Sequence, residues 1–265
     1  MSQPVDQAEG LRRLLTAGRP RIVALLGMSA GVGATTAAMN LAVELARDGG
    51  PVLLLDEHAG AAASACASWA VAPPRLDPRG APAEVAAGVQ VLAAPAGAAR
   101  PDFNPRALCP GGLIVIDVAL DAAGQLSPLA RLADDLVVVM QPLAASITAT
   151  YAGLKRMQYI HALQTFQFLV ANAASEQQAE VVIANVVNTS SRFLAVSLKP
   201  LGWIPADALV GDAGRRHQTV CEAHPGSAAA CAFRRVARAL RHGAEGTRQG
   251  RDIASRALAR GRAAA

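Results

Sequence analysis

The sequence predicts an α/β fold, a single domain around a doubly wound, mostly parallel sheet, on three observations. Short continuous runs of Val, Ile and Leu alternate with Ala-rich helical stretches, the pattern of a sheet buried under helices on both faces. The first apolar run passes into a glycine-rich turn, Gly31-Val32-Gly33, and then into a helical stretch, which is the context of a phosphate loop. A chain of 265 residues is long enough for one large domain and too short for two comfortable ones.

In order along the chain, strands are expected at Arg21–Leu26, Val52–Leu55, Val89–Ala93, Gly112–Val118, Leu136–Gln141, Phe166–Ala171 and Leu194–Leu198. Continuous rather than alternating apolar runs mark them as parallel strands with no solvent face. Helices are expected at Thr36–Arg47, Gln125–Arg131, Ser146–Leu163, Ser175–Val187 and Ser227–Arg241. Residues 71–105, rich in Pro, Ala and Gly, read as a loose surface excursion. Three parts follow: an arm over residues 1–20, a domain over 21–242 and an Arg-rich tail over 243–265.

Charge is regional. Residues 234–265 hold nine Arg against Glu245 and Asp252, a net of +7, and the remaining 16 basic and 18 acidic residues give −2. The high isoelectric point therefore belongs to one segment, which argues against a nucleic-acid-binding domain face. Phe233, Val236, Ala237 and Leu240 share one face of the Arg-rich helix; it either packs on the domain or lies on an anionic membrane surface. No apolar run approaches the roughly 20 residues that span a bilayer, and the polar, acidic start is unlike a secretory signal. Cys66, Cys109, Cys221 and Cys231 lack short paired spacings, as expected of free thiols in a reducing cytoplasm. His161, His217, His224 and His242 show no metal-ligand spacing.

In an open parallel sheet, ligands sit beyond the carboxyl ends of the strands. Gly27–Thr36, Asp56–His58, Asp117–Ala119 and Asn172 all fall there, so a nucleotide-sized site is expected. Glycines let backbone N–H groups close around phosphate at a helix N-terminus. Thr35 offers a hydroxyl to Mg²⁺ and Asp117 a carboxylate behind it; Thr35 serves equally as a helix cap, and Asp117 and Asn172 as turn residues. The loop itself contains no lysine: Lys155 and Lys199 are the only two in the chain.

The run Gly27-Met28-Ser29-Ala30-Gly31-Val32-Gly33-Ala34-Thr35-Thr36 resembles the deviant Walker A loop of the MinD/ParA ATPases. Leu53-Leu54-Leu55-Asp56-Glu57-His58 resembles their switch I strand end, and Leu113-Ile114-Val115-Ile116-Asp117 their Walker B strand. Three further segments resemble the flagellar-number regulators of the FlhG/FleN branch: Asp6-Gln7-Ala8-Glu9-Gly10-Leu11-Arg12, the run from Ser146 to Lys155, and Arg192-Phe193-Leu194 with Leu201–Asp207. The resemblance implies a nucleotide site of Gly31, Val32, Gly33, Ala34, Thr35 and Thr36, with Asn172, Pro205 and Asp207 around adenine and ATP or ADP with Mg²⁺ as ligand.

The resemblance also carries departures. Ser29 and Ala34 stand where the family has its two lysines, and His58 where it has the Asp that positions the attacking water. A missing Lys–phosphate contact costs roughly 1.5–3 kcal/mol of affinity, and a histidine lacks the carboxylate's charge and geometry. Weakened nucleotide binding and lost hydrolysis follow as expectations. The resemblance assigns Asp6, Gln7, Ala8, Gly10, Leu11 and Arg12 to contact with an FlhF-type GTPase of the signal-recognition-particle class. It adds flagellar basal-body or switch components as partners, a homodimer, and a cytoplasmic location with peripheral attachment at the inner face of the membrane. Two other readings stand beside this one: a working MinD-type ATPase cycling between a cytosolic monomer and a membrane-bound dimer, and a ParA-like DNA-associated protein.

Overall fold

A computed structural model describes residues 20–47, 50–72, 81–95, 103–194 and 196–241. The arm residues 1–19 and the tail from residue 242 onward lie outside the described residues, as do the readings placed on them.

Eight strands form one sheet in the order β3-β4-β2-β5-β1-β6-β7-β8: β1 Arg21–Gly27, β2 Val52–Asp56, β3 Ala83–Ala86, β4 Val89–Ala93, β5 Leu113–Asp117, β6 Asp135–Met140, β7 Thr165–Ala173 and β8 Ser197–Pro205. All pairings are parallel except the edge pair β3–β4. The unbroken apolar runs are buried on both faces by strict alternation. Ile22, Ala24 and Leu26 of β1 enter one core with Leu53, Leu55, Ile114 and Ile116. Val23 and Leu25 enter the other with Val52, Leu54 and Val115.

The helices are α1 Ala34–Arg47, α2 Ala65–Ser68, α3 Ala144–His161, α4 Glu176–Phe193, α5 Ala208–Arg215, α6 Val220–Ala223 and α7 over 228–241. α3 and α4 cover one face through Leu154, Met157, Ala179 and Val186. α1 and α7 cover the other through Leu41, Leu45, Phe233, Val236 and Leu240. The Arg-rich helix thus packs on the domain. Arg234 joins Arg47 in pairing with the buried Glu44 of α1, and the Arg21 guanidinium donates to the Leu240 carbonyl at 2.7 Å.

Three expectations are corrected. The last strand is not Leu194–Leu198: Leu194 caps α4 and the strand begins at Ser197. Pro200 and Gly202 interrupt its apolar pattern, which an edge strand tolerates. A strand, β3, also lies within the stretch read as loose. Residues Gln125–Arg131 form no α-helix; only Ala130–Leu132 wind as a 3₁₀ turn, with Ser127 Oγ accepting from the Ala130 amide. Pro128 disfavours helical backbone in the residue before it.

Candidate functional site

Beyond the carboxyl end of β1 the chain turns through residues 28–33 before α1 begins. Gly31 and Gly33 take φ of 73° and 92°, left-handed values open to glycine without strain. At Gly27 a Cβ would come within 2.4 Å of Val32 Cγ2, so the loop closes only around glycine. Two neighbours brace it. Gln141, just past β6, donates from Nε2 to the Gly31 carbonyl at 3.1 Å. Gly153 on α3 makes room for Met28, whose Sδ would lie 2.2 Å from any Cβ there.

Beside the loop, β2 and β5 end in register at Asp56 and Asp117, both fully buried. Their surroundings differ. Asp56 is saturated: Oδ1 accepts from the His58 amide at 3.0 Å and Oδ2 from the Cys66 amide at 2.8 Å. Neither Asp117 oxygen has a partner in good hydrogen-bond geometry, although the Thr35 hydroxyl lies close enough to favour its charged form. Burial pushes its carboxyl up to about 6, while nearby His58 and the Thr35 hydroxyl hold it back from rising further. Glu57 is raised to about 7 by burial, although Ser127 Oγ donates to Oε1 and the Ala119 amide to Oε2. His58 turns its ring toward the Val118 carbonyl, 3.0 Å from Nε2; a carbonyl only accepts, so Nε2 carries the proton.

A buried carboxylate without a partner carries a desolvation cost that a cation would offset. The Asp117 oxygens, the Thr35 hydroxyl, the left-handed glycines and the start of the 14-residue α1 therefore fit a Mg²⁺-bound phosphate. The cation of such a site is held largely by phosphate and water rather than by a protein cage. No group of three or more His, Cys, Asp or Glu among the described residues is arranged to hold a metal ion. Neither lysine serves the loop: Lys199 lies in β8 opposite Gln167, and Lys155 lines a surface cavity with Arg156, Tyr159 and Gln164.

The other expected site residues divide. Asn172, at φ 58° and exposed, stands near the end of β7, beside Ala171, which a Cβ on Gly33 would meet at 3.9 Å. Pro205 ends β8 opposite Ala173. Asp207 follows two residues later, but both its oxygens are engaged, by the Leu209 and Ala229 amides. Asp6, Gln7, Ala8, Gly10, Leu11 and Arg12 lie outside the described residues. Sequence reading misses Gln141 and the Glu57–Ser127 contact. Gln141 carries a signal, its position one residue past a strand end; Ser127 carries none.

No protein-family model matches the chain. Antiactivator FleN of Pseudomonas aeruginosa is 29% identical over 240 residues, 82% of this chain and 85% of that one. Among solved structures, the cell division ATPase MinD of Pyrococcus furiosus aligns at 18% identity and a TM-score of 0.57, over 84% of this chain and 98% of that chain. MinD of Aquifex aeolicus aligns at 16% identity and a TM-score of 0.62, over 84% and 97%. MinD of Pyrococcus horikoshii, complexed with Mg-ADP, aligns at 17% and 0.53, over 82% and 94%. The fold is that of the MinD and ParA ATPases. The similarity to FleN points to the FlhG/FleN branch. No helix among the described residues is long and apolar enough to cross a membrane.

Proposed function

We propose that this chain is a regulator of flagellar number and placement of the FlhG/FleN kind, acting on an FlhF-type GTPase, with weakened ATP binding and little or no hydrolysis of its own. The observation that carries the reading is Asp117, a buried carboxylate with no partner beside a phosphate loop with no lysine. The scaffold for Mg²⁺ and phosphate is retained, and the cations that stabilise charge on a transferring phosphoryl group are gone. When bound, Mg²⁺ would neutralise charge between the phosphates. The chain's own residues would hold it with the Thr35 hydroxyl and the Asp117 carboxylate, cradle phosphate with the Gly31–Thr36 amides, and place the base near Asn172 and Pro205. His58 commits its Nε2 proton to Val118, which supports a brace for the turn after β2 rather than a group that orients water.

Regulation then rests on the arm, whose sequence offers Asp6 as a helix cap and Leu11 with Leu14 or Leu15 as an apolar stripe. Gln7 orients water or phosphate in the partner, since an amide both donates and accepts. Two measurements test this. Purified protein should turn over ATP at background rates; turnover on the order of 0.01 per second or faster, abolished by Asp117→Ala, refutes the silent site. A peptide of residues 1–20 should stimulate the cognate GTPase and its Gln7→Ala form should not; equal rates with the two peptides remove the arm from the mechanism.

A further inference from the structure

At the opposite end of the sheet from the phosphate loop, a cavity of about 550 Å³ opens between Pro20, Phe103, Asn104, Arg106, Ala107 and Leu132, a volume within the range of built binding sites. Its wall is mostly apolar, and Leu132 is 42% exposed, an apolar side chain left facing solvent. Its floor is rigid. The Arg106 guanidinium, 7% exposed, donates to the Pro20 carbonyl at 3.0 Å, the Leu132 carbonyl at 3.3 Å and the Asp134 carboxylate at 2.8 Å.

Pro20 is where the arm meets the domain, so the arm begins in the wall of this cavity. Leu15 lies five residues earlier and Leu14 six, within roughly 17–20 Å of Pro20 at full extension, and Gly18 between them permits a sharp turn. Leu11, Leu14 and Leu15 supply apolar side chains that suit such a wall. A tether this short sets an effective concentration in the mM range, so even a contact of mM affinity would be populated.

We propose that residues 11–15 dock in cis in the cavity at the amino end of the sheet, so that the arm is sheltered on its own domain and a partner must compete for it. This deepens the arm reading above, and its test does not depend on any GTPase. In full-length protein with the half-exposed Cys231 replaced (Cys231→Ser), Leu14→Cys is combined either with Ala107→Cys at the cavity or with Ala208→Cys beyond the carboxyl end of β8. Mild oxidation should give an intramolecular disulfide in the Ala107→Cys pairing at least about ten-fold more readily than in the Ala208→Cys pairing. Adding Leu132→Glu should bring the first down to the second, with an unchanged thermal midpoint as the check on folding. Equal yields for both pairings, insensitivity to Leu132→Glu, or disulfides only between two copies each overturn the proposal. The peptide assay separately decides whether the arm activates a GTPase, so the two readings fail independently.

Discussion

The two ends of the sheet treat charge in opposite ways. At the amino end the acids at the strand starts have cations: Arg21 meets Asp135 at 2.6 Å and Arg106 meets Asp134 at 2.8 Å. Backbone groups complete both sites, with the Ile22 amide donating to Asp134 and Arg106 clamping two carbonyls. At the carboxyl end Asp117 and Glu57 sit buried without an ion-pair partner among the described residues, and both carboxyls are pushed toward neutrality. A matched buried pair gains little over an apolar substitute, but losing half of it is costly. An unmatched acid is a standing cost, which suits the proposed Mg²⁺–phosphate site. The amino end is joinery; the carboxyl end is the proposed receptacle.

The largest effect should come from breaking the joinery. Arg106→Ala leaves Asp134 without its cation and two carbonyls without their donor, and should lower stability by about 3–5 kcal/mol, read by denaturant unfolding; a loss under about 1 kcal/mol would make the pair ornamental. The receptacle should respond with the opposite sign. Asp117→Asn removes a raised acid, so at pH 7 the apo protein should gain roughly 1–3 kcal/mol while losing Mg²⁺-dependent nucleotide binding. Both Asp117 and Glu57 have folded values above their ordinary ones, so between about pH 4 and 7 the folded state holds protons that the unfolded state releases. Stability of the wild type should therefore fall as pH rises through that window, and Asp117→Asn should flatten the slope. A slope unchanged by the substitution separates Asp117 from the effect.

Restoring the missing charge sharpens the comparison further. Ala34→Lys should raise affinity for ATP–Mg²⁺ by roughly 1.5–3 kcal/mol, one to two powers of ten, in calorimetry; no gain in a folded variant means the loop is not shaped for phosphate. Last, Gln141→Ala removes one hydrogen bond to the Gly31 carbonyl and should cost about 0.5–1 kcal/mol of stability, with a larger loss in hydrogen-exchange protection at the loop than at β1.

Much of the fold is legible in the amino-acid sequence. Apolar runs such as Ile22–Leu26 and Leu53–Leu55 declare strands buried on both faces, and glycines at Gly31 and Gly33 declare a turn that favours left-handed backbone. The start of β8 is hidden because Pro200 and Gly202 disguise an edge strand, and β3 because four residues in a Pro-rich stretch carry no period. At the site, Asp117 is readable from its place at a strand end. That Asp56, one strand over, is spent on the His58 and Cys66 amides is not, because saturation is a property of neighbours. Asp207 is the same case, its carboxylate taken by amides at residues 209 and 229.

The seam between α1 and α7 bears on how the chain is made. Glu44 finds Arg234 across 190 residues, and Arg21 finds the Leu240 carbonyl across 219. On a ribosome adding about 5–20 residues per second, roughly 10–40 s separate the synthesis of Glu44 from that of Arg234. Through that interval the outer side of the phosphate-loop helix, with its buried acid, has no cover. The seam can close only after the helix over 228–241 has been synthesised.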